Sequence, residues 1–202
     1  MIRTWSILGL LGVASVAMAG GTVSGTVKFD GNPPAAGTKP VPAEHKGPCG
    51  SGDTVADESL IVDSAGKGIA NVVVTLESKE GKAAPAAPVK VVFDQKHCVF
   101  SDHVVVVPVG AEVEFKNSDT VAHNVKLTGT LNPSFNETVD GGKTLTKKFA
   151  QAERMKVDCS IHPWMTSYLV AVDTPHFAKT DKSGAFKIEN VPAGTYKVKV
   201  WQ

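Results

Sequence analysis

Short runs of Val, Thr and aromatic residues, each broken by Gly, Pro or Asp, recur along nearly the whole chain. TVSGTVKF, NVVVTLES, VKVVF, HVVVVPV, EVEFKN, KTLTKKF, RMKVDCS, SYLVAVD, AFKIENV and TYKVKVW make up the set. In EVEFKN the charged Glu112, Glu114 and Lys116 alternate with Val113 and Phe115, the period-two signature of a strand with one buried face. No stretch sustains a helical period, so the fold class reads as all-β. Segment 35 to 58, rich in Ala, Gly, Pro and Lys, reads as a loop. With 202 residues the chain can bury one good core or two modest ones.

Within this strand pattern four side chains stand out chemically. Residues 159 to 165 read Cys159-Ser-Ile-His162-Pro-Trp-Met165, and a His123-Asn124 pair lies well upstream. Together they offer one thiolate, two imidazoles and one thioether. A centre that shuttles one electron holds Cu(I) and Cu(II) with little movement between them. That favours a soft sulfur and two imidazoles in a plane, with a weak axial thioether. Cys159, His162 and Met165 recur at steps of three, so one loop between two strands can turn all of them inward. His123 then has to arrive from a different loop at the same end of a two-sheet sandwich.

Other metal chemistries fit the string less well. A binuclear copper centre needs a second Cys in the loop, and a multicopper oxidase needs His-x-His pairs and a His-Cys-His string; neither is present. Structural zinc prefers more Cys or His and has little use for a thioether.

The loop and the stretch VEFKNSDTVAHNVKL, residues 113 to 127, resemble the cupredoxins, and the short Cys-x-x-His-Pro-aromatic-Met spacing resembles amicyanin. The resemblance covers roughly residues 88 to 173 and implies a Greek-key β-sandwich. It implies one mononuclear type 1 copper with His123, Cys159 and His162 as equatorial ligands and Met165 as the axial one. It also implies that the Asn124 side chain ties the His123 loop to the Cys159 loop.

The two ends carry a second resemblance. TVSGTVKFDGN and AGKGIANVVVTLE near the start, with FAKTDKSGAFKIENVPAGTYKVKVW near the end, resemble the two halves of a carboxypeptidase-regulatory-like, prealbumin-like sandwich. The implied organisation places these halves at residues 20 to 85 and 175 to 202, with the copper module at 88 to 173 inserted between them. The small, Pro-rich GKAAPAAP at 81 to 88 has the composition of a boundary.

Met1-Ile-Arg3, an apolar run from Trp5 to Met18 and Ala17-Met18-Ala19 read as a signal peptide over residues 1 to 19, which implies a periplasmic or secreted protein. In an oxidising compartment Cys49 and Cys98, the cysteines left over from the copper loop, are expected to form a disulfide. The alternative is a second metal site made of His45, Cys49, His97 and Cys98. Short of that alternative, His45, His97, His103 and His176 all read as structural histidines outside the ligand set.

Lys and Arg number 21 against 20 Asp and Glu, and a chain so nearly neutral lacks the basic surface that nucleic acid requires. No paired carboxylates, nucleophile with a base at motif spacing, or phosphate loop points to an enzyme. The sequence therefore reads as an exported one-electron carrier, with c-type cytochromes or periplasmic oxidoreductases as partners. Electrons are expected to cross a ring edge of His162 presented at the surface, flanked by Pro163 and Trp164. The alternative is a copper-binding carrier protein without redox turnover.

Overall fold

The computed structural model describes residues 20–50, 52–80 and 89–202. The proposed signal peptide and the 81 to 88 boundary lie outside the described residues. Before residue 80 come β1 (Gly21–Thr26), β2 (Gly37–Pro40), a helix α1 (Ala43–Cys49), β3 (Thr54–Asp57) and β4 (Val73–Ser78). The middle holds β5 (Lys90–Lys96), β6 (Val99–Phe100), β7 (Val104–Pro108), β8 (Glu112–Asn117), β9 (His123–Thr128), β10 (Phe135–Val139), β11 (Thr144–Lys148), β12 (Glu153–Asp158) and β13 (Thr166–Val172). The end adds β14 (Phe177–Lys179), β15 (Ala185–Val191) and β16 (Tyr196–Trp201). The described residues are all-β apart from α1.

The middle segment is a two-sheet sandwich. One sheet has the order β10-β9-β12-β13-β7 and the other β11-β8-β5-β6. Alternation decides which side chains meet between them. Phe93, Val113 and Phe115 from the second sheet share one buried cluster with Val125, Leu127, Met155, Val157 and Leu169 from the first. Phe93 and Phe115 are fully buried, and their rings lie 5.4 Å apart in a tilted contact.

The ends of the chain pair with each other. β1 runs antiparallel to β15, and β4 lies between β14 and β16. Strand β13 is buried on both faces: Leu169 belongs to the sandwich core, while Val170 and Val172 pack outward on Val73 of β4 and Val104. On its far side β4 turns Val74 and Leu76 toward Ile188 and Val191 of β15. The layers therefore stack as sheet, sheet, sheet and a two-stranded pair made from opposite ends of the chain. Gly184, at φ +77, and Gly68 let the two ends approach, since a Cβ on Gly68 would stand 1.7 Å from the Ser183 carbonyl oxygen.

Segment 35 to 58 is not the loop expected from its composition. It forms the β2–β3 hairpin around α1, and the Cys49–Cys98 disulfide joins the last residue of α1 to the β5–β6 turn. The helix starts after Pro42 and stops at Gly50 in the left-handed conformation. Seven residues with Pro48 inside are too few to print a helical period or to persist alone. The crosslink and the burial of Val41 and Cys49 in the sandwich core hold it in place. Among the described residues no helix is long and apolar enough to cross a membrane.

The disulfide closes a separation of 49 residues. Cys49→Ser with Cys98→Ser should cost roughly 2–4 kcal/mol in denaturant unfolding, as removal of that loop constraint implies. An unchanged midpoint would show that packing alone holds α1.

Candidate metal centre

The site is assembled where β9 and β12 run side by side, with Lys126 opposite Asp158. Continued by one residue, that register puts Cys159, just past the end of β12, opposite Val125, and His123, at the start of β9, lies two residues further along at the same end. The turn that delivers His123 is pegged by the buried Asn117. Its amide donates to the carbonyls of Val121 and Val139, both at 2.8 Å, and its oxygen accepts from Asp119 N at 3.0 Å. Between β12 and β13 the ligand loop closes on itself: Cys159 N donates to Met165 O at 3.2 Å and Met165 N to His162 O at 2.9 Å. Asn124 joins the two loops, because its side-chain oxygen accepts from Ser160 N at 3.2 Å and its own N–H donates to Cys159 Sγ at 3.3 Å.

Three donors converge. The Nδ1 atoms of His123 and His162 stand 3.0 Å apart, Cys159 Sγ lies 3.6 Å from His162 Nδ1, and the three donor atoms fall within 4.8 Å of one another. Bonds of about 2.0–2.3 Å to one ion would set such donors about 3.3–3.8 Å apart; the sulfur–nitrogen separation of 3.6 Å falls in that range and the two nitrogens, at 3.0 Å, stand slightly closer. Met165 ends the same loop, and it is buried to 1%. His123, Cys159 and His162 are exposed by 0%, 3% and 3%. One thiol and two imidazoles facing one point, with a thioether closing the loop, is a donor chemistry that fits copper.

The surroundings prepare these groups electrically. Burial pushes the Cys159 thiol up, but the His123 imidazole and the N–H of Asn124 outweigh it, and the net shift is down, toward the thiolate a metal needs. Burial disfavours the His123 cation, yet Cys159 and Asp119 outweigh it and the net shift is upward. His162 is lowered to about 4 by burial, then by the charges of His123 and His45. It therefore offers a free lone pair across the neutral range.

Two residues of the site were not foreseen from the sequence. Asp119, which reads as part of an Asn-Ser-Asp turn, accepts from His123 Nε2 at 2.7 Å, His97 N at 2.6 Å and Cys98 N at 2.8 Å. A carboxylate behind a ligating imidazole fixes its tautomer, leaving Nδ1 free. The same carboxylate steadies the two-residue turn at His97 and Cys98, whose φ of 57 and 50 would otherwise be costly. His45, set aside with the structural histidines, lies on α1 with its ring 5.0 Å from that of His162 and 5.2 Å from Trp164.

The expected exposed edge of His162 is thereby corrected. His162 and Trp164 are exposed by only 3% and 7%, and Pro163 alone of the three reaches solvent. Helix α1 and the disulfide cover the ring, and the Trp164 indole is held by donating to the Cys98 carbonyl at 2.9 Å. His103 and His176 are buried away from the donors, His103 against Tyr168 and His176 near Tyr196.

No family model matches the chain, and no curated protein matches it. Solved structures similar to it include copper proteins. Amicyanin from Paracoccus versutus is 22% identical over 49% of this chain and 97% of its own, with a TM-score of 0.38. A purple cupredoxin from Nitrosopumilus maritimus is 21% identical over 42% of this chain and 99% of its own, at 0.35. A copper-containing nitrite reductase from Thermus scotoductus SA-01 is 22% identical over 48% of this chain, at 0.39, and the match spans a quarter of the reductase.

The low proton affinity of His162 has a consequence for the metal-free chain. In the unfolded state this group takes up its proton near 6.5, in the folded state only near 4. Between those values the unfolded chain binds more protons, so the stability this residue contributes is complete above 6.5 and declines as the pH falls toward 4. Denaturant midpoints measured from pH 7.5 down to 4 should fall across that window, and His162→Gln should flatten the slope; an equal slope in the variant would contradict the assignment.

Proposed function

We propose that this chain is an exported one-electron carrier that holds one type 1 copper through His123, Cys159 and His162, with Met165 as the axial ligand. The observation that carries the reading is the convergence of two Nδ1 atoms and one Sγ on a single point, with Nε2 of His123 held by Asp119 and the Cys159 sulfur accepting from Asn124 N. Bound there, copper supplies a couple between Cu(I) and Cu(II). The protein supplies rigidity: Asn124 ties the two ligand loops, Asp119 orients His123, and the loop's own hydrogen bonds fix Cys159 to Met165. Such a frame lets valence change with little rearrangement.

The copper-carrier alternative gains by exposing sulfur for exchange. Cys159 and Met165 are 3% and 1% exposed, which favours the closed redox centre. Half-buried His45, packed on His162, is a neighbour of the donor set that reaches solvent, so partners such as c-type cytochromes or periplasmic oxidoreductases are proposed to approach on that side. No catalytic activity is proposed, and the outer layers are inferred to be a prealbumin-like support at residues 20 to 85 and 175 to 202.

Adding Cu(II) to the purified chain should give an intense thiolate-to-copper absorption band that Cys159→Ser abolishes. Asp119→Asn should retain the band while weakening copper binding roughly 10–100-fold, the usual cost of losing a group that orients a ligand. A colourless wild-type complex would overturn the electron-carrier reading.

A further inference from the structure

The four proposed copper donors are exposed by 3% or less, so an ion reaches them fastest when the cover is open. That cover is α1, and what fastens it is the Cys49–Cys98 disulfide. The crosslink lies against the same imidazole that belongs to the copper centre: donor atoms of Cys49, Cys98 and His162 fall within 4.8 Å of one another. We propose that, before the crosslink forms, Cys49, Cys98 and His162 make a second, transient site for a soft monovalent ion, Cu(I), through which the permanent centre is loaded. The inference rests on the reading of that centre as a copper site.

The geometry suits such a role. Two thiolates on one ion stand about 3.7–4.6 Å apart at bond lengths near 2.3 Å. The Cα atoms of Cys49 and Cys98 are 5.2 Å apart, which side-chain rotation alone spans. Cys98 does not need the crosslink to stay in position: its N–H is held by Asp119 and its carbonyl by the Trp164 indole, both parts of the copper centre. Cys49 sits on a helix of seven residues, too short to persist without its fastening, so in the thiol form it is the mobile arm and the way in is open. His162 is common to both donor sets, its Nδ1 turned toward His123 and Cys159. An ion taken by the two thiolates is thus already beside the permanent donors. Two thiolates and an imidazole are also the ligands that Cu(I) prefers.

The chemistry balances without a change of metal valence. On uptake Cys49 and Cys98 release their thiol protons to solvent. On closure the two thiolates give two electrons to the disulfide of an oxidising thiol–disulfide exchange protein, through a mixed disulfide. The sulfur–sulfur bond breaks in that protein, which takes up two protons from solvent and leaves as a dithiol, and forms here. Closure removes two of the three transient donors, leaving His162 to the permanent set, and fastens α1 over it.

The test uses the full chain carrying Cys159→Ser, which lacks the permanent thiolate, with Cu(I) presented in a chromogenic Cu(I) chelator. After phosphine reduction the chain should withdraw about one Cu(I), while its crosslinked form should bind roughly 100-fold more weakly or not at all. Bound Cu(I) should also slow alkylation of Cys49 and Cys98 at least about tenfold. Cys159→Ala, an apolar replacement suited to the buried position, repeats the contrast should the serine variant fail to fold by circular dichroism. Equal uptake by the reduced and crosslinked forms, or none by the reduced form, would overturn the proposal. If the crosslinked wild type nevertheless turns blue, the electron-carrier reading stands and only the loading site falls.

Discussion

The antiparallel contact between β9 and β12 is the constraint on which the rest depends. It sets a histidine and a cysteine that are distant in sequence beside each other at one end of the sandwich. Everything finer is built upon that adjacency. Asn117 pegs the turn that leads into β9, Asn124 ties it to the loop after β12, and Asp119 aims the histidine. Each uses a short polar side chain to satisfy backbone N–H or carbonyl groups that a loop at a sheet end leaves unpaired. The satisfied backbone also fixes the direction of the donors.

The centre and the crosslink are one mechanical unit. Asp119 grips the His123 imidazole and the Cys98 amide together, while Trp164 of the ligand loop grips the Cys98 carbonyl. Movement of the disulfide turn is therefore movement of the donor set. Burial then sharpens every interaction inside, because charges and dipoles act more strongly away from water. This is why the Cys159 thiol is lowered despite a strong desolvation penalty, and why His162 resists protonation.

Much of this was legible in the string. The strand runs were readable because half-buried strands write their period directly into the residue order, as EVEFKN does; β8 turns Val113, Phe115 and Asn117 inward. The Cys159, His162 and Met165 spacing was readable because one loop carries all three. Helix α1 was not, since seven residues around a proline leave no periodic trace. The covering of His162 was missed for the same reason. Whether that ring meets water is decided by residues 41 to 49, brought over it by a crosslink whose partner lies far along the chain. Asp119 looked like turn chemistry, and only side-chain geometry shows its carboxylate behind a histidine.

X-ray absorption at the copper edge on the loaded, crosslinked chain reads the first coordination shell itself. One sulfur scatterer at about 2.3 Å and two imidazole nitrogens at about 2.0 Å from a single copper are expected, lengths typical of such ligands on a comparable ion. A first shell of nitrogen and oxygen alone, with no sulfur, would contradict it.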